Sequence, residues 1–151
     1  MIGSWGRGGL LGCIGLLNGC NSDAPVSAVT QVTPPGFIVS VTRIATHPFL
    51  SRFNLALTVR TAGGCAATSE LFPDTGGVSR RNLYLTTSDR LYVVGQFDVR
   101  RFDPQRCLIE LVEFRSVEDG LRFIGSFDTD RSGQWAFQTA SAQAERPFEP
   151  L

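Results

Sequence analysis

Alternation of apolar and polar positions is the dominant signal along this chain. It is cleanest in FNLALTVR, residues 53–60, where Phe53, Leu55, Leu57 and Val59 fall on one side and Asn54, Ala56, Thr58 and Arg60 on the other. A period of two is the mark of a half-buried strand. RLYVVGQFDVR, residues 90–100, repeats the pattern, with Leu91, Val93, Phe97 and Val99 on one face. FIVSVTRI from 37, NLYLT from 82, CLIELVEF from 107, LRFIGSF from 121 and QWAFQT from 134 complete a set of seven predicted strands. Most of the phenylalanines fall on the apolar faces, and Trp135 is expected as a core plug in the last strand.

The links between these strands are short and rich in turn-forming residues: TSD at 87–89, DPQ at 103–105, VEDG at 117–120 and DRSG at 130–133. Parallel strands need crossovers of about a dozen residues or more, so the expected pairing is antiparallel. No segment of useful length repeats its apolar residues every 3.6 positions. The expectation is an all-β fold, a small antiparallel β-sandwich or open barrel of about seven strands, forming a single domain over residues 37–151. Residues 20–36, ending in NSDAPVSAVTQVTPPG, are polar, hold three prolines and show no sustained period, which predicts a flexible tether.

Ahead of the tether the layout changes. Arg7 is the only charge before Asp23, and GGLLGCIGLLNG follows it. This apolar, glycine-rich run is shorter than the roughly 20 residues a membrane-spanning helix needs, and its order (basic start, apolar middle, small residues) is that of a signal peptide. LNGC, Leu17 to Cys20, resembles the lipobox of bacterial lipoproteins. The resemblance implies that Cys20 carries a lipid and that residues 1–19 are removed. It also implies, because Asn21 rather than an aspartate follows the cysteine, residence in the outer membrane facing the periplasm.

Charge narrows the partners. All fourteen basic side chains are arginine and are balanced by fourteen acids, and no run of like charge exceeds a pair such as Arg80-Arg81. Nucleic-acid binding needs a basic face, so a nucleic-acid partner is not expected. With Cys13 in the removed segment and Cys20 lipidated, Cys65 and Cys107 remain. An even pair in an oxidising compartment reads as a disulfide. The competing zinc site lacks a nearby histidine and a C-x-x-C spacing.

Candidate chemistry is sparse. DTDRSG, residues 128–133, has the alternating oxygens of a calcium loop in Asp128, Asp130 and Ser132, but Thr139 stands where a closing acid belongs, so a hairpin turn is expected and no metal or other cofactor. His47 is the only histidine and has no nucleophile motif around it, and Glu110 and Glu113, three apart on a strand, face opposite sides. An enzyme is not expected. The most unusual connection is TAGGCAATSELFPDTGGVSRR, residues 61–81, longer than the roughly 12 to 15 residues beyond which loops are usually functional or disordered. One reading presents Leu71, Phe72, Arg80 and Arg81 on this loop to a protein partner. The other makes SELF a helical turn whose Leu71 and Phe72 cap the core. The function expected is a lipid-anchored binding or structural module that docks to another envelope protein; the alternative is a small periplasmic inhibitor or ligand-binding β-domain.

Overall fold

The structure, a computed structural model, describes residues 24–148. The chain is all-β, with two antiparallel sheets packed face to face and not closed into a barrel. The first sheet is a meander of β1 (Val26–Val32), β2 (Phe37–Ala45), β3 (Phe53–Arg60) and β4 (Ala66–Asp74). The second holds β5 (Arg81–Leu85), β6 (Leu91–Val94), β7 (Val99–Asp103), β8 (Leu108–Val112), β9 (Arg122–Thr129) and β10 (Trp135–Thr139), in the order β10-β9-β5-β6-β7-β8.

The core between the sheets is built by the alternation seen in the sequence. Val39, Val41, Leu55, Leu57 and Val59 from the first sheet meet Leu83, Leu85, Leu91, Val93, Phe102 and Phe127 from the second. Phe37 packs edge-on against Phe102 with ring centroids 5.5 Å apart. Trp135 plugs the core as expected, and its indole N–H donates to the carbonyl of Val41 at 2.8 Å, so its burial strands no polar atom.

Four features differ from the sequence expectation. Residues 26–32, expected within a tether, form β1 and pair with β2 from Val26↔Arg43 to Val32↔Phe37. The inward positions of β1 are Ala28, Thr30 and Val32, too small and mixed for a strong apolar period, yet enough for an edge strand whose backbone completes the β2 ladder. Two of the prolines sit in the turn that follows, where Gly36 at φ 91 donates its N–H to Val32.

The expected long loop is the second difference. Most of residues 66–74 pair with β3, with Ala67, Ser69 and Leu71 turned inward. Alanine and serine give that face little hydrophobic signal, and Pro73 is tolerated because β4 is an edge. The register breaks where Phe53 pairs with Asp74 but Leu55 with Leu71. Phe72, next after inward Leu71, faces outward at this bulge.

Third, RLYVVGQFDVR is not one strand. It folds into β6 and β7 around a tight turn closed by Gly95 N–H donating to Asp98 O at 2.8 Å. A Cβ on Gly95 would lie 2.7 Å from both the Arg81 Nε and an Asp98 carboxylate oxygen, so only glycine leaves room for that buried pair. Phe97 therefore stands exposed at a turn tip, and Val99 faces the side of the sheet away from the main core.

The fourth difference concerns VEDG, which does not close a hairpin. β8 pairs only with β7, and β9 lies on the far side of β5, against β5 and β10. Residues 113–121 must therefore cross the outer face of the six-stranded sheet. Cys65 and Cys107 are bonded, with Cα atoms 5.8 Å apart, and join the β3–β4 turn to the β7–β8 turn. The bond ties the two sheets together at the end of the sandwich that also holds the β1–β2 turn.

Candidate functional site

The crossing segment creates the most developed concavity of the described residues. β5 is buried along its whole length: Leu83 and Leu85 face the main core, while Tyr84 faces outward. Tyr84, Tyr92 and Val99 form a second apolar layer on that outer face, covered by Phe114, Val117 and Leu121 of the crossing segment and by Phe123. A single 3-10 turn at Phe114–Ser116 gives the crossing its only regular structure.

A second segment returns over the same face. After β10 the chain turns at residues 139–143 and runs back along the sheet, where Asn82 Nδ2 and Arg80 Nη2 both donate to the carbonyl of Arg146, at 2.9 and 3.0 Å. Arg146 pairs with Asp128, and the Arg80 guanidinium stacks 4.4 Å above the Phe148 ring. Tyr84 donates its hydroxyl to Glu145 at 2.8 Å.

Between the crossing segment and this returning strap lies an open groove of about 850 Å³. Its floor and walls are Tyr84, Val94, Phe114, Val117, Leu121 and Phe148. Glu113, Glu118, Asp119 and Glu145 also line it, against one lining cation, Arg115. Burial pushes the Tyr84 phenol up to about 12, and the hydrogen bond to Glu145 acts in the same direction, so this hydroxyl is a fixed neutral donor. Arg90, 2.9 Å from Glu118, holds that carboxyl below the usual range, with help from the Tyr92 hydroxyl. The groove thus combines an apolar floor with a negatively charged rim. Among the described residues it contains no activated nucleophile, and no group of three His, Cys, Asp or Glu has the spacing to hold a metal ion.

The residues singled out from sequence fare differently. Leu71 is 5% exposed and belongs to the main core, whereas Phe72, 42% exposed, faces outward. Arg81 is buried as well. Its side chain is 3% exposed, lies 3.7 Å from buried Asp98, and donates to the carbonyls of Phe72, Val78, Ser79 and Arg80. Asp98 in turn accepts from the Phe72 N–H at 2.9 Å. Arg81 and Asp98 therefore hold the end of β4 and the following loop in place, and the four residues do not form one presented surface. Only Arg80 borders the groove, through Phe148.

DTDRSG turns the β9–β10 hairpin. Asp130 accepts from Ser132 N–H and Oγ–H and from Gln134 N–H, and Asp128 is engaged with Arg146. Glu110 pairs with Arg101 and Arg106, Glu113 with Arg115. Cys20 lies outside the described residues. The groove itself went unread in the sequence, although two signals pointed to it. The continuous apolar runs at Leu83-Tyr84-Leu85 and Leu91 to Val94 suit a strand buried on both faces, and Phe114, Val117 and Leu121 are more apolar than a solvated link requires.

Comparison of the chain with protein-family models, with curated proteins and with solved structures gives no match to any of them.

Proposed function

We propose that this chain is a lipid-anchored binding module of the bacterial envelope, tethered through Cys20 and facing the periplasm. On this reading its groove on the six-stranded sheet takes a segment of another envelope protein that carries apolar side chains and positive charge. The observation that carries the reading is the groove: a packed sheet face leaves Val94, Phe114 and Val117 half-buried at its surface, and four carboxylates line it, of which Glu118 pairs with Arg90 and Glu113 with Arg115 while Asp119 and Glu145 make no ion pair among the described residues. Clefts with an apolar lining and a few placed polar groups are where ligands bind, and complementary charge selects among them. The Tyr84 hydroxyl, donating to Glu145, fixes that carboxylate as an acceptor at the edge of the floor.

A photo-crosslinking residue at Val117, in the full chain in intact cells, tests this. A discrete heavier adduct from Val117, absent when the crosslinker replaces Thr58 on the outer face of the four-stranded sheet, is the expected result. Equal adducts from both positions, or none from Val117, would overturn it. The volume of about 850 Å³ also lies within the range of small-ligand clefts, which favours a second reading in which the occupant is a cationic amphiphile. An adduct of small added mass at Val117 would select that reading.

A further inference from the structure

We infer that the loop between β2 and β3, residues 46–52, inserts Phe49 and Leu50 into the phospholipid surface and is a second membrane contact beside the lipid on Cys20. The inference rests on the anchoring proposed above, and on four observations of the described domain.

Phe49 is 90% exposed and Leu50 49%, and Ile44 at the end of β2 is exposed beside them. A protruding apolar tip of this kind loses water contact favourably when it enters the acyl boundary. Phe49 is the most exposed large apolar side chain among the described residues, and it is followed directly by the exposed Leu50.

The loop is closed upon itself. His47 Nδ1 accepts from both the Phe49 and the Leu50 N–H, at 3.1 and 3.0 Å. Thr46 N–H donates to Arg52 O at 2.9 Å and Arg52 N–H to Leu50 O at 2.7 Å. Pairing lowers the cost of bringing a backbone group into an apolar medium, and the Phe49 and Leu50 amides at the tip are paired before the loop meets any lipid. The lone histidine thereby acquires a role that catalysis did not supply.

The third observation is position. Val26, where β1 begins, pairs with Arg43 near the end of β2, so the chain enters the domain at the end from which the loop projects. Cys20 precedes Val26 by six residues, a reach of at most about 20 Å even fully extended. An acylated Cys20 therefore holds this end, and not the disulfide end, against the bilayer. Strand pairing places the Gly95–Asp98 turn, with Phe97 53% exposed, and the loop after β4, with Val78 exposed, at the same end.

Charge is the fourth. Arg52 and Arg131 project at this end and make no ion pair among the described residues. Of the neighbouring acids, Asp98 is paired with Arg81 and Arg100 and Asp128 with Arg146, while Asp74 and Asp130 are hydrogen-bonded within their own turns and keep their charge. Arginines around an apolar tip suit anionic headgroups.

The test uses the membrane-extracted product of the full chain, reconstituted in phosphatidylethanolamine and phosphatidylglycerol vesicles with brominated acyl chains. Phe49→Trp reports the loop and Ala62→Trp the opposite end, with the parent protein as the blank for Trp135. The expected result is that the indole introduced by Phe49→Trp is blue-shifted and loses most of its emission to the bromines, while the one introduced by Ala62→Trp is unaffected. Vesicle-bound protein in which the Phe49→Trp indole is unquenched, or in which both introduced indoles are quenched alike, would overturn the inference and leave the anchor standing. A product that is not vesicle-bound and retains Met1 by intact mass would overturn the anchor and the inference together.

Discussion

Leu71 and Phe72 are neighbours in sequence with opposite fates, because successive side chains of a strand leave opposite faces. Leu71 is buried with Leu55 and Leu57, while Phe72 stands at the bulge beneath the Arg100 guanidinium, 5.7 Å from its ring centre. Truncation separates the two. Leu71→Ala should lower unfolding free energy by about 2–4 kcal/mol, the usual range for emptying a core leucine site, whereas Phe72→Ala should cost less than about 1 kcal/mol. Denaturant unfolding of the two variants checks this, and equal losses would contradict the outward placement of Phe72. The same residue-scale logic explains why the arginine pair divided: Arg81 is enclosed by carbonyls and Asp98, while Arg80 reaches the surface over Phe148.

At the scale of elements, the strands legible in the sequence are those with large aliphatic or aromatic residues at alternate positions, such as β2 and β3. The edge strands β1 and β4 were obscured because their inward residues include Ala28, Thr30, Ala67 and Ser69, which packing accepts at a sheet margin but which carry no apolar period. β1 offers a direct measurement. If it completes the first sheet, the amides of residues 26–32 that pair with β2 should exchange with solvent hydrogen orders of magnitude more slowly than those of an open tether. Free exchange across 26–32 would restore the tether. The groove belongs to this scale too, since it exists only because the link from β8 to β9 crosses a sheet face that a hairpin would have left bare.

For the whole molecule, the two sheets approach at their margins, and the covalent tie between them is the Cys65–Cys107 bond across 42 residues of sequence. In the chain-entropy account a loop of that size stabilises by about 4 kcal/mol. Reduction should therefore lower the denaturation midpoint markedly, and Cys65→Ser with Cys107→Ser should reproduce the loss; an unchanged midpoint would mean that packing alone holds that end. The bond lies at the end opposite the β2–β3 loop. Under the proposed anchoring, the covalently tied end faces the periplasm and the apolar end faces lipid, which leaves the groove on the flank accessible to both soluble and membrane-bound partners.

Sequence by itself determined that this chain is built of antiparallel strands and that Trp135 lies in the core, because alternation and turn chemistry are properties of local order; the Cys65–Cys107 pairing was expected only through the lipobox resemblance that sets Cys13 and Cys20 aside, and the structure shows the bond directly. Only the tertiary structure decided which faces are buried twice, that Leu71 and Arg81 turn inward, and that Tyr84, Phe114 and Phe148 meet across a groove. Those outcomes depend on strand order, and strand order is set by which distant segments pack together. A period of two reports that one face of a strand is apolar, but what comes to cover the other face is decided elsewhere in the chain.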